Sequence, residues 1–477
     1  RKHQGSNGPL GAPHEQVMQF EETIQKAREA QKIWVVVAVG ERSRWLKNFQ
    51  KSIFRQKEKI VTAILADTHK PVAEAIGIEI ATVLMTADYY RKRGPKFLKK
   101  RQADVHWMFK NKKVCVERLP YGVVGILGPS NLPFSLTIGD AIPALLAGNA
   151  VVIKPSELTP KAAHVGAEIA FETGLPQNLI QVVEGGPDVG SKLIEKVDCV
   201  FFTGSTTVGR KVAAKAGELL KPCILELGGK APMIVLEDAN IERAAQACVW
   251  GRFAHSGQHC IATERVYVDK KIAEPFIKRV VEIVQTLAPE SLSPSTLPKG
   301  PKHEEELLND ALQKGANIAY QKVAATFWSP VILTNVNHSM RVMKEESFGP
   351  LLPIMTFESI DEAIAFANDS ESGLSATLFT KNSREALSLA RRIEVGNISI
   401  NDVMDHFMIM DAPFSGWKQS GIGQRHAPEG LLQFTKQQTI FEHRFPLPFC
   451  AKKEFWWFPY RNGTLNLLKG LLRIFFG

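Results

Sequence analysis

The chain has 477 residues, 44% of them hydrophobic and 23% charged. That balance is ordinary for a globular protein and excludes a disordered tail protein, a collagen-like fibre and a small disulfide scaffold. Fifty-nine Lys/Arg against 49 Asp/Glu leave a net +10, enough to make an acidic partner or surface worth considering.

The excess charge is local. Between Arg91 and Lys113 stand ten basic residues and one acid, Asp104, and from Pro446 onward five basic residues face Glu454. A broad nucleic-acid surface would spread its charge more widely, so no nucleic acid is expected; a basic strip can touch nucleic acid or anionic lipid, and the plain reading is a solvated helix face followed by a basic loop. The six cysteines show no C-x-x-C pair and no zinc-like spacing, so neither a metal site nor a disulfide framework is expected. A reducing, cytoplasmic setting fits them. No stretch has the apolar core of a signal peptide, and no run of about 18 apolar residues predicts a membrane-spanning helix.

In chain order, residues 1–13 are polar. Helical periodicity covers 14–34 and 42–67, and a third helix is expected over 74–93, stopped by Gly94-Pro95. Residues 103–118 carry strand-like Val105, Trp107, Phe109, Val114 and Val116. From residue 120, short apolar runs (122–127, 150–153, 179–183, 200–203, 223–227) alternate with helical stretches (137–146, 160–173, 187–196, 206–219). Such alternation predicts βαβ units and a parallel sheet. A second α/β stretch runs from about 231 to 400, with helices 241–254, 271–287 and 383–392 and strand-like 265–268, 351–355 and 377–379. Residues 441–460 are rich in Phe and Trp, and 464–477 read as a basic amphipathic helix.

Three short motifs carry chemistry. Gly204-Ser205-Thr206-Thr207-Val208-Gly209 follows a strand and opens a helix, which can present backbone N–H groups to a phosphate. Glu226-Leu227-Gly228-Gly229-Lys230 puts a carboxylate at a strand end beside two glycines. Gly257-Gln258-His259-Cys260 ends a helix on a candidate nucleophile, which must be a partly accessible thiolate. Each is weak alone, because turn glycines and core cysteines are common.

In this order and spacing, the three together resemble the aldehyde dehydrogenase superfamily. Pro129-Ser130-Asn131-Leu132-Pro133, Lys154-Pro155-Ser156-Glu157, Glu346-Ser347-Phe348-Gly349-Pro350, Pro413-Phe414-Ser415-Gly416 and Ser420-Gly421-Ile422-Gly423 extend the resemblance over about residues 14–440. It implies an α/β fold with a Rossmann-like NAD-binding domain (1–101 and 120–227) and an α/β catalytic domain (228–423). It also implies a small β bridging element for oligomerisation (102–119 and 424–440) and an extension over 441–477. A homodimer or homotetramer follows from the same likeness.

By the same resemblance, Cys260 is the nucleophile that attacks an aldehyde. Asn131 and the backbone N–H of Cys260 hold the resulting oxyanion, and Glu226 is the base that activates water to hydrolyse a thioester. Lys154, Glu157, Gly204, Ser205, Gly209, Leu227, Glu346 and Phe348 are expected at the cofactor. An acid near the 2′-hydroxyl repels a 2′-phosphate, so Glu157 favours NAD, with NADP also admitted beside Lys154. Ser130 stands where the family often has Trp, which predicts looser packing beside Asn131 and a wider pocket. That pocket and the aromatic tail suggest a medium- or long-chain aliphatic, or an aromatic, aldehyde. Residues 290–330 resemble the family poorly and are expected to affect surface loops only. Asn401 and His426 receive no catalytic role. The helix 464–477 has three readings: packing against protein, peripheral membrane contact, and, by likeness to fatty aldehyde dehydrogenases, a substrate gate.

Overall fold

The structure, a computed structural model, describes residues 13–106, 109–321, 329–444, 457–458 and 462–476. Trp107, Cys450 and most of the aromatic stretch 441–460 lie outside the described residues. The chain forms two compact units, one within Arg1–Leu98 and Leu119–Lys436, the other within Lys99–Arg118 and Gln437–Gly477.

The first unit holds two large sheets. One has six strands in the order 421–422, 223–226, 199–203, 123–127, 150–154 and 180–182, all parallel except the first. Its strands Val123–Leu127, Ala150–Lys154 and Cys199–Thr203 are buried at every position. A parallel sheet covered on both faces needs such unbroken apolar runs, and these are the runs visible in the sequence. The chain builds outward from Val123–Leu127 to one side, then returns to add Cys199–Thr203 on the other. The order therefore reverses between those two strands, and a crevice opens beyond their carboxyl ends.

The second sheet has seven strands in the order 317–321, 331–334, 351–357, 265–269, 232–235, 375–379 and 397–400, again parallel except for 317–321. Pro232–Val235, Val331–Thr334 and Asn397–Ile400 were not legible as strands. Four residues carry little periodicity, and it is the neighbours, such as Val266 and Thr377 on either side of Met233, that hold them extended.

Two expectations about helices change. The stretch 42–67 is two helices, Val39–Arg55 and Lys57–Thr68, broken at Gln56. The helix expected to stop at Gly94-Pro95 continues to Phe97. Proline removes the N–H that would reach the carbonyl of Arg91, but Ser43 Oγ donates to that carbonyl at 2.7 Å instead. Gly94 is buried, where a Cβ would press on Leu146.

The second unit contains a three-stranded sheet in the order Arg101–Gln102, Lys112–Pro120, Thr435–His443, and a helix, Asn462–Phe476. Of the segments read as bridging β, Val105 and Phe109 lie outside the strands, and Ala427–Leu432 is helical.

Candidate active site

The crevice of the first sheet is a cavity of about 890 Å³. Asn131, Lys154, Glu157, Gly204, Ser205, Glu226, Leu227, Cys260, Glu346 and Phe348 all line it. Gly209 does not; it lies behind Leu227, where a Cβ would come within 2.4 Å of a Leu227 methyl. Its part is to let the helix Thr206–Glu218 pack closely under the wall.

Glu226 ends the strand Cys223–Glu226 and is 3% exposed. Neither carboxylate oxygen has a hydrogen-bond partner. Burial pushes its pKa up to about 8, with Arg425 opposing and Asp140 adding to the rise. Arg425 was not singled out in the sequence. It is buried, holds Asp140 through Nε and Nη2 at 2.9 and 3.0 Å, also donates to Thr203 Oγ1, and stands 3.8 Å from Glu226 Oε2. The next residue, His426, is buried with its Nδ1 unpartnered, and burial lowers its pKa to about 3.

Cys260 is partly exposed. Burial pushes its thiol up to about 12; Arg425 pulls it down, and Glu346 and Glu226 push it further up. The turn before it is strained, with His255 and Ser256 in the left-handed region at φ 46° and 53°. Polar contacts hold it there. Ser256 Oγ donates to Ser293 O at 2.7 Å, His255 Nδ1 meets Ser293 Oγ at 2.8 Å, and the Gln258 side chain spans to Pro294 O and the Thr296 N–H. Asn131 Nδ2 donates one hydrogen to Gln258 O at 2.7 Å, leaving the amide its second.

This corrects the expectation that residues 290–330 matter only to surface loops. Ser293 and Thr296 are buried against the turn before Cys260, and Leu297, Lys299 and His303 line the cavity. Ser130 is also affected. Its Oγ lies 3.2 Å from Thr296 Oγ1 and the residue is buried, so the looser packing expected there is closed by this segment.

The glycines of the Glu226 motif have a steric reason. A Cβ on Gly229 would fall 2.3 Å from the backbone O of Cys260, and one on Gly228 would fall 2.3 Å from Glu346 Oε2. The Gly229 N–H donates to Glu346 Oε1 at 3.1 Å. Three motifs far apart in sequence thus touch at one loop. Glu346 is pushed up to about 8 by burial and by Glu264, against the Gly229 N–H, Lys230 and Arg252. The turn behind it is anchored on Glu264, which accepts from Lys230 Nζ (2.6 Å), Arg252 Nη1 (2.8 Å) and the N–H groups of Ser347 and Phe348. A second buried pair, Lys70 with Glu79 at 2.6 Å, fixes the loop of Asn131: Lys70 donates to Asn131 O and Glu79 accepts from the Phe134 N–H. Neither pair has a sequence signature, since an ordinary Lys and Glu are legible only once the fold brings them together. Asn401 exchanges two hydrogen bonds with the Thr380 backbone, a structural task.

The family profile described as "Aldehyde dehydrogenase family" matches residues 10–440. The chain belongs to the aldehyde dehydrogenase family. It is 36% identical over 466 residues to a 4,4'-diapolycopene aldehyde oxidase of Methylomonas sp, covering 96% of this chain and 87% of that one. It is 35% identical over 435 residues to a putative succinate-semialdehyde dehydrogenase [NADP(+)] of Mycolicibacterium smegmatis, covering 88% and 83%. The solved betaine aldehyde dehydrogenase of Staphylococcus aureus, in complex with NAD+, superposes with a TM-score of 0.86 at 28% identity, covering 92% and 89%. This aldehyde dehydrogenase oxidises an aldehyde to a carboxylic acid and uses NAD(P).

The residues present fit that cofactor. The helix Thr206–Glu218 opens onto the cavity at Gly204-Ser205, with Ser205 Oγ capping the Val208 N–H, so its first-turn N–H groups suit a pyrophosphate. Lys154 Nζ, buried, reaches Glu157 Oε2 at 3.3 Å while Glu157 stays half exposed, a polar pair of the kind that takes ribose hydroxyls. Among the described residues no cluster of His, Cys, Asp and Glu could hold a metal ion.

Proposed function

We propose that Cys260 and Glu226 carry the oxidation through a covalent thioester. The observation that supports this most is Glu226 itself: a buried carboxylate with no partner on either oxygen, in the same cavity as Cys260, the one cysteine that lines it among the described residues. Cys260 Sγ, its proton given up to solvent, bonds to the aldehyde carbon as a thiolate. The carbonyl oxygen becomes an oxyanion, for which the second hydrogen of the Asn131 amide and the Cys260 N–H are donors; one such donor is worth about 3–4 kcal/mol. A bound NAD(P) would supply the acceptor for the hydride lost from this carbon. Glu226, as a carboxylate, removes a proton from water as the water attacks the thioester, and the acid leaves while that proton passes from Glu226 to Sγ.

Lys154, Glu157, Gly204, Ser205, Leu227, Glu346 and Phe348 would hold the cofactor along the cavity, with Gly209 acting from behind Leu227. The six-stranded sheet would then be the cofactor domain (1–101 and 120–227) and the seven-stranded sheet the catalytic domain (228–423). The substrate is an apolar aldehyde. Cys260 packs against a cluster of Leu132, Leu136, Ile261, Val403, Phe407 and Phe414, an apolar wall that suits an apolar chain beside the sulfur. The name of the Methylomonas relative agrees with this reading, and that of the mycobacterial one does not.

The test is Glu226→Gln. Turnover should fall by about 10²–10⁴-fold, and intact-mass spectrometry should find the acyl group retained on Cys260. Loss of turnover with no adduct would refute hydrolysis by Glu226.

A further inference from the structure

The net charge is not shared between the two units. Lys99–Arg118 with Gln437–Gly477 contain thirteen Lys/Arg and four Asp/Glu, a surplus of nine. The other 416 residues contain 46 and 45. Almost the whole +10 therefore sits on an eighth of the chain.

The same unit carries the helix Asn462–Phe476, which has no acidic residue. At 100° per residue its eight Leu, Ile and Phe side chains fill one broad sector, while Lys469, Arg473, Asn462 and Asn466 share the opposite one. No residue of the helix is buried. Ile474 and Phe476 are each 72% exposed and Leu472 59%, far more contiguous apolar surface than scattered singles would give. Trp457 and Phe458, shortly before the helix, are exposed too. The Phe476 ring stacks on His106 with centroids 6.2 Å apart, in the connection between Arg101–Gln102 and Lys112–Pro120, which is flanked by Lys99, Lys100 and Arg101 on one side and by Lys110, Lys112 and Lys113 on the other. No described helix is long and apolar enough to cross a membrane.

We propose that this unit is a docking surface for an anionic lipid membrane. The helix lies in the headgroup plane with its apolar sector inward, and Lys469, Arg473 and the basic residues that flank His106 on either side face the lipid phosphates. The charge decides the occupant. A second copy of the chain would bring an equally basic unit to the contact, and a neutral apolar partner would leave the nine charges without a role. A duplex would match the charge but not the apolar sector, whereas an acidic bilayer surface answers both at once. The inference is independent of the catalytic reading.

The experiment is co-sedimentation of the full chain with vesicles of phosphatidylcholine alone or with roughly one-third phosphatidylglycerol. Binding should be at least about tenfold greater on the acidic vesicles and fall by a similar factor between about 0.05 and 0.5 M salt. Both Ile474→Asp with Phe476→Asp, and Lys469→Glu with Arg473→Glu, should lose that binding and keep full NADH formation with a short water-soluble aldehyde. Equal partition onto the two vesicles would overturn the proposal, as would binding untouched by the Asp pair. A fall in oligomer mass caused by the Asp pair without lipid would assign the face to a second copy. Salt-sensitive retention on duplex DNA that survives the Asp pair, with no vesicle binding, would assign the charge to nucleic acid. Either result overturns it.

Discussion

Glu226 and Glu264 are both buried carboxylates beside the same cavity, and they are treated in opposite ways. Glu264 accepts from two cations and two backbone N–H groups; burial raises its pKa, but Arg252 and Lys230 outweigh that and hold it at about 2. Glu226 accepts from nothing, its nearest cation stands 3.8 Å away, and it is pushed up to about 8. A protein compensates the desolvation of a carboxylate that holds structure together, and leaves it uncompensated where a ligand or a proton must come. On one wall the charge is fixed; on the other it is kept in reserve.

The strongest challenge to this comparison is at the sulfur that shares the uncompensated wall. Cys260→Ala should reduce aldehyde-dependent NADH formation, followed by absorbance, by about 10³-fold or more while cofactor binding persists. Retained activity would mean that the unsatisfied wall is not where reaction occurs. Next come the two glutamates themselves. Glu264→Gln strands Lys230 and Arg252 and should lower unfolding stability by about 3–5 kcal/mol in denaturant titration. Glu226→Gln breaks no hydrogen bond and should leave stability unchanged or higher.

The pH profile sharpens the contrast. A base whose pKa is raised must lose its proton to act, so kcat should climb as pH rises through about 8 and be lower below it. Arg425 is the group that pulls Glu226 down, so Arg425→Gln should move that inflection upward, by on the order of one pH unit. An unmoved inflection would detach Glu226 from the titration. The smallest effect belongs to the exposed carboxylate. Glu157→Gln should raise the use of NADP relative to NAD by only about threefold to fivefold, because a half-exposed charge is worth less than about 1 kcal/mol.

Much of the cavity wall proposed for the cofactor was legible in sequence, because Gly-rich turns and strand ends are local: a Gly-Ser turn before a helix or a Lys at the end of an apolar run needs no distant partner to be recognised. The residues that tune the site were not legible. Arg425, Asp140, Glu264, Lys70 and Glu79 act across separations of up to 285 residues, and nothing near each in the chain marks it. The helix through Pro95 was hidden for the same reason, since the hydroxyl that rescues it sits 48 residues away on Ser43. Gly209 was misplaced on the wall because a glycine that lets a helix pack and one that lets a ligand approach look alike in sequence.

The segment from Ser293 to His303 is at once a wall of the cavity and the clasp on the strained turn before Cys260. Reshaping it to admit a new aldehyde therefore also disturbs the aim of the sulfur. A lineage that explored other substrates through this stretch would lose turnover first and regain it only by compensating changes at Ser293, Thr296 or Gln258. Transplanting the loop from a relative should, for the same reason, fail unless Gln258 and Ser130 travel with it.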